Sequence, residues 1–197
     1  MIDVERIVAN SIPLNSEGTH VVYWMTSARR SRWNYGLDHA IDLANEANVP
    51  LIVVESLALG HRWANDRIHT FVLQGMIDNR KLFEAAPLTY IPYVETKQGQ
   101  AAGLLRSFSK GAVAMVIDDY PTYMPRDVAV RAMETGECCV IAVDSNGIVP
   151  LRTPQRSFTT AYSFRRYLHK NVLGFLAKPP MAEPLKALND LPDGKAI

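Results

Sequence analysis

Val21-Val22-Tyr23-Trp24-Met25-Thr26 decides how the rest of this chain is read: a short β-branched and aromatic run that breaks into the polar Ser27 to Arg32. Such a run reads as a buried strand. Four more of the same kind follow at Pro50 to Glu55, Thr89 to Val94, Ala112 to Asp118 and Cys139 to Asp144. Helical patterns separate them. Leu37, Ala40, Ile41, Ala44 and Ala47 recur at the 3.6-residue period with Asp38, Asp42 and Glu46 on other faces. The next helix places Ile68, Phe71, Val72, Gly75, Met76 and Leu82 on its inward side, with Asp66 as its cap. A third spans about 100–108, and a fourth begins near Pro125.

Short apolar strands alternating with helices predict an α/β fold, a doubly wound open sheet of five parallel strands with helices on both faces. Right-handed crossovers favour an open, doubly wound sheet, and fold analogy gives it the Rossmann-like order 3-2-1-4-5. Thr160 to Leu173 adds a helix with no strand after it, and from Lys178 prolines at 179, 180, 184 and 192 give the composition of a linker or tail. The expected division is therefore 1–176 as one α/β domain and 177–197 as a linker.

The 197 residues are 48% hydrophobic, enough for one sizeable core. Lys and Arg number 21 against 20 Asp and Glu, so no overall basic field holds nucleic acid, and any such contact is local. Cys138 and Cys139 are adjacent at a buried strand and read as small core residues. The five histidines lack metal-ligand spacing and no catalytic nucleophile stands out, so neither catalytic nor metal residues are expected. Residues 1–16 lack the plan of a signal peptide and no apolar run is long enough to span a bilayer. A cytoplasmic location without membrane contact is the expectation.

Ligands of doubly wound sheets collect beyond the carboxyl ends of the strands where the winding reverses, here between the first and fourth strands. Arg29, Arg30 and Arg32 follow the first strand, in a setting suited to an anion. Asp118 ends the fourth. Asp144, Ser145, Asn146 and Gly147 end the fifth, and form a turn by composition. Phe158, Tyr162, Phe164 and Tyr167 interleave with Arg156, Arg165 and Arg166, a pattern shared by nucleic-acid stacking surfaces and amphipathic docking helices.

Tyr23-Trp24-Met25, Arg30, Asn34, Leu37, Arg67, Phe71, Gly75, Asp118 and Val143-Asp144-Ser145-Asn146-Gly147-Ile148-Val149-Pro150 together resemble the amino-terminal α/β domain of DNA photolyases, nearest the class II branch. Ser27 and Ala28 stand where that branch usually carries an arginine and aspartate pair, a departure from its pattern. The resemblance spans about residues 20–175. It implies an antenna domain of a light-dependent repair lyase acting on cyclobutane pyrimidine dimers, with Trp24, Met25, Arg30, Asn34, Asp118, Asp144 and Asn146 binding the cofactor. It further implies a deazaflavin, flavin or folate antenna chromophore, and an FAD-binding helical domain, in cis or in trans, that reaches damaged DNA. The chain corresponds to the first half of such an enzyme, so its own enzymatic status stays open. The alternative from the residues themselves is a stand-alone nucleotide-binding or regulatory α/β domain, which would call for a glycine-rich loop after the first or fourth strand.

Overall fold

Every residue of the strand His20–Met25 is buried, because it lies at the centre of a sheet covered on both faces. The computed structural model describes residues 2–192. Six strands form one sheet: β1 (Ile7–Ala9), β2 (His20–Met25), β3 (Leu51–Leu57), β4 (Thr89–Val94), β5 (Ala112–Asp118) and β6 (Cys139–Val143), in the order β1-β6-β5-β2-β3-β4. The five parallel strands run in the order expected from sequence. β1 is the addition, antiparallel to β6 with Ile7 opposite Val143 and Ala9 opposite Ile141. Three residues are too few to show a period, which is why the sequence does not announce it.

Among the described residues five α-helices accompany the sheet: α1 (Tyr35–Ala47), α2 (Asp66–Phe83), α3 (Leu104–Ser109), α4 (Tyr123–Thr135) and α5 (Ala161–Leu176). Alternation along β2 divides the core in two. Val21, Tyr23 and Met25 pack with Leu37, Ile41 and Ala44 of α1 and with Phe83 of α2. Val22 and Trp24 face the opposite side, with Ala129 and Ala132 of α4. Gly18, just before β2, passes so close to β5 that a Cβ there would stand 2.4 Å from the Val113 nitrogen. No side chain fits at that crossing.

Local sequence sets the helix ends. Asn34 accepts the Leu37 N–H at 3.1 Å and starts α1, and Asn48, in the left-handed region at φ 54°, stops it. At α2 the cap is Asn65, accepting from Ile68, while Asp66 is the acid of the first turn. Pro125 lies within the first turn of α4, as its fixed φ allows. Cys138 and Cys139 are buried free thiols, and burial pushes Cys138 up to about 11.

α2 departs from its expected face. Met76, Asn79 and Phe83 are its buried residues, whereas Phe71 is 76% exposed and Leu82 is 50% exposed. The apolar positions of α2 form two stripes, and only the one ending at Phe83 meets the sheet. Leu37 is fully buried and Phe71 is not, so the two truncations separate cleanly. Leu37→Ala lowers unfolding free energy by about 2–5 kcal/mol, and Phe71→Ala changes it by less than about 0.5 kcal/mol, as urea melts will read.

Residues 178–192, from the stretch expected as linker, lie along α1; 193–197 fall outside the described residues. Trp33 donates its N–H to the Met181 carbonyl at 3.0 Å, Met181 donates to Asp38 Oδ2 at 2.9 Å, and Asn45 holds both Ala187 and Asn189. Pro184 and Leu191 are buried against the body. Burial raises the Asp38 carboxyl to about 6, and its Oδ1 has no partner. A carboxyl raised on folding binds its proton more tightly in the native state. Its contribution is therefore full below about pH 4 and fades as pH climbs to 6, about 1 kcal/mol after solvent screening. Asp38→Asn should flatten stability between pH 4 and 6 in thermal melts; an unchanged slope would place the titration elsewhere.

Candidate functional site

The backbone turn that follows β2 is tied down by one carboxylate. Asp118, at the end of neighbouring β5, accepts the N–H groups of Thr26, Ser27 and Ala28 on Oδ2 at 2.8, 2.8 and 2.9 Å. Its Oδ1 accepts the Tyr23 hydroxyl at 2.7 Å. Asn34 closes the knot, donating to the Tyr23 oxygen at 2.9 Å and to the carbonyls of Ala28 and Arg30. Burial, then the Asp118 charge, pushes the Tyr23 phenol well above its usual range. Asp118, Asn34 and Tyr23 are almost wholly buried, so this knot shapes the loop from within.

A second knot ends β6. Asp144 is fully buried and accepts from the Asn146 backbone and side chain on Oδ1 and from Leu151 N–H on Oδ2. Arg6, also buried, donates to the Asp144 and Ile148 carbonyls and lies 3.9 Å over the Tyr35 ring. Asn146 donates to the Asp119 carbonyl at 2.6 Å. Arg30 is exposed, donating to the Trp33 carbonyl at 3.1 Å. Arg30 and Asn146 share a shallow cavity of about 280 Å³ with Trp33, Tyr35, Ile148 and the 175–180 segment.

The larger opening lies on the other face, beneath α3 and α4. It is a cleft of about 500 Å³ beyond the ends of β2 and β3, and its lining is mostly apolar. Trp24, Ala58, Leu105, Met124 and Val128 form its walls; Thr26 and Ser56 offer hydroxyls; Arg29, Arg106 and Arg131 bring cations. Arg29 is fixed by Glu55 at 3.0 Å and by the Ser56 carbonyl at 2.7 Å. Glu95 is held by the N–H groups of Ala101 and Leu59, which draw its carboxyl below the usual range. That clamp shapes the 97–103 loop, whose Gly99 and Gly103, at φ 82° and 85°, also line the cleft. Trp24 and Thr26 are buried lining residues, and Trp24 Nε1 and Thr26 Oγ1 have no hydrogen-bond partner. Buried polar atoms are normally paired, so two orphans beside one cleft mark a place where a ligand can supply the bonds.

Of the seven residues singled out from sequence, only Trp24 lines this cleft. Arg30 and Asn146 meet at the small cavity; Met25 is fully buried in the sheet; Asn34, Asp118 and Asp144 use their polar atoms on the backbone. Arg29 belongs to the arginine segment after the first strand that reads as suited to an anion; Arg106 and Arg131 carry no such reading in the sequence. The signal for them was the glycine pair Gly99 and Gly103, which follows the third parallel strand rather than the first or fourth. Among the described residues no group of three His, Cys, Asp or Glu side chains is arranged to hold a metal, and no helix is long and apolar enough to cross a membrane.

No family model matches the chain. Two curated relatives are named deoxyribodipyrimidine photo-lyase. One, from Methanothermobacter thermautotrophicus, is 30% identical over 154 residues, covering 78% of this chain and 34% of the relative. The other, from Arabidopsis thaliana, is 30% identical over 181 residues, covering 88% and 35%. The chain thus spans about a third of the length of the curated relatives it matches. Solved structures similar to it include a universal stress protein from Archaeoglobus fulgidus, with TM-score 0.44, 19% identity and coverage of 64% of this chain and 98% of that one. A universal stress protein in complex with cAMP gives TM-score 0.40 and 16% identity, covering 66% and 99%. A member of the same family from Burkholderia pseudomallei gives 0.41 and 20%, covering 66% and 98%. At these values the likeness is one of general architecture.

The photolyase assignment drawn from sequence is corrected on these findings. The photo-lyases it matches share only about a third of their length with this chain, too little to carry the whole enzyme's identity over to it. The antenna reading falls with it: the deazaflavin, flavin or folate chromophore, the FAD-binding helical partner and the route through it to damaged DNA. The structure supplies a physical reason. The family-like residues Asn34, Asp118 and Asp144 satisfy backbone groups inside the domain.

Proposed function

We propose that this chain is a nucleotide-binding α/β domain with a regulatory role. The observation that carries the reading is the cleft beyond β2 and β3, where buried Trp24 Nε1 and Thr26 Oγ1 stand unpaired among apolar walls and three arginines. A nucleotide matches each part of that surface. Its base finds apolar contact with Trp24, Leu105, Met124 and Val128. Its sugar and ring heteroatoms answer Thr26, Ser56 and Trp24 Nε1. Its phosphate meets arginine, whose planar fork suits phosphate oxygens. The volume of about 500 Å³ lies within the usual range for such ligands. What the cleft supplies is recognition: hydrogen-bond donors, apolar walls and the guanidinium of Arg131, which forms no ion pair among the described residues, whereas Arg29 and Arg106 are paired with Glu55 and Glu137.

Calorimetric titration with ATP, ADP, AMP and cAMP tests it. At least one binds, and Thr26→Val with Arg131→Ala weakens it by about tenfold or more, as loss of one hydrogen bond and one charged contact implies. No binding by any of the four at millimolar concentration, with the chain folded by circular dichroism, would overturn the proposal.

A further inference from the structure

Charge along this chain is unevenly placed. Between Ser145 and Ala182 lie six of the 21 cations and none of the 20 acids, so the rest of the chain is net negative. Arg152 pairs with Asp119 and Lys178 with Asp3. Among the described residues Arg156, Arg165, Arg166 and Lys170 form no ion pair, and three of these four sit on α5. None of the residues of α5 is buried. A helix with free cations and no buried side belongs to the surface that meets other molecules.

Aromatic rings are set among these cations. Phe158 packs against Phe164 and Tyr167 with ring centres 5.2 Å apart in both cases, and the Arg156 guanidinium stands 5.0 Å over the Phe158 ring. Arg166 stands 5.8 Å over Tyr162, which is 65% exposed. Between them a recess of about 460 Å³ is lined by Arg156, Ser163, Arg166, Tyr167, Lys170 and Asn171. Three cations, a hydroxyl and an amide face one space, beside an aromatic ring open to solvent. An acidic protein surface would use the cations and leave the ring idle, whereas a single-stranded nucleic acid uses both, phosphates on the cations and an unstacked base on the ring. Duplex DNA keeps its bases stacked and offers the ring nothing.

We infer that α5 and the 156–158 segment before it form a binding surface for single-stranded nucleic acid, with Arg156, Arg166 and Lys170 on successive phosphates and Tyr162 stacking a base. This surface is separate from the cleft at Thr26 and stands or falls independently of it.

Fluorescence anisotropy of the full chain with a labelled oligodeoxythymidine of about 15 nucleotides tests it, from about 50 to 300 mM salt. Three phosphates predict a log–log salt slope near −2, about −0.7 for each on a single strand. Arg166→Gln with Lys170→Gln weakens binding at least tenfold and makes the slope shallower by about 1.4. Tyr162→Ala weakens it about fivefold or more without altering the slope. Because α5 has no buried residue, these variants fold, which circular dichroism verifies. Arg80→Gln with Lys81→Gln on α2 leaves oligonucleotide binding unchanged. No binding at about 50 mM salt would overturn the inference. So would equal affinity in Arg166→Gln with Lys170→Gln. Competition by heparin at equal charge, with Tyr162→Ala indistinguishable from the parent, would overturn it too, by reducing the surface to a general polyanion patch. Thymidine monophosphate competing as well as the oligonucleotide would likewise defeat it, since a free phosphate would then suffice.

Discussion

Asp118→Ala is expected to lower stability more than any other single polar substitution in this chain. Removing the carboxylate leaves the N–H groups of Thr26, Ser27 and Ala28 and the Tyr23 hydroxyl without their acceptor, in a place where Asp118 itself is 1% exposed. Each stranded donor costs about 1–3 kcal/mol, so a loss of roughly 3–6 kcal/mol follows, with some relief if water enters. For a chain of this length that is about 10–20 °C in Tm. Asp118→Asn retains an acceptor oxygen for the loop and loses the charge that strengthens those bonds, so its loss should be about half as large. Equal melting of Asp118→Ala and the parent would show that the loop after β2 is held by something else. Because the same loop carries Thr26, nucleotide binding should fall alongside stability in Asp118→Ala.

Glu55→Ala comes second. Glu55 is fully buried at the end of β3 and is shared by Arg29 at 3.0 Å, Asn79 at 3.0 Å and the Tyr90 hydroxyl at 2.6 Å. Burial and then the hydrogen bond to this carboxylate push the Tyr90 phenol far above its usual range, so Tyr90 is the donor in that bond. Truncating Glu55 leaves a guanidinium, an amide and a phenol facing a void, and breaking such a buried pair costs about 3–5 kcal/mol. Adding Arg29→Met to Glu55→Met removes the stranded charge and should recover part of that loss, which a double-mutant cycle measures. Nucleotide binding should not recover, because Arg29 lines the cleft. Full recovery of binding in the double variant would remove Arg29 from the site.

The parallel strands were legible because each carries its own apolar run; their order rested on analogy with doubly wound sheets, since handedness narrows the ways to connect them without choosing one. Leu37, Ile41 and Ala44 could be placed on the core side of α1 for the same reason, since a single helical period decides their face. α2 shows where that reasoning ends. Phe71 and Leu82 share an apolar pattern with Met76 and Phe83, yet only the latter two meet the sheet, and the choice between stripes depends on where α2 crosses β3 and β4. Asn34, Asp118 and Asp144 were legible as polar residues at strand and helix ends, the places where ligands gather. Whether such a group faces a ligand or its own backbone depends on loops that come together from distant parts of the chain, as Asp118 does with residues 26–28.

Sequence by itself determined the α/β class, the five apolar strands and the core positions Leu37, Ile41 and Ala44 of α1, since these depend on local periodicity; the strand order came by analogy with doubly wound sheets. Tertiary structure alone decided that β1 pairs with β6, that Asp118 serves the loop after β2, and that Trp24, Thr26, Arg29, Gly99 and Arg131 surround one cleft. Those residues come from three segments of the chain, and no local pattern records a distance between segments until the sheet has brought their ends together.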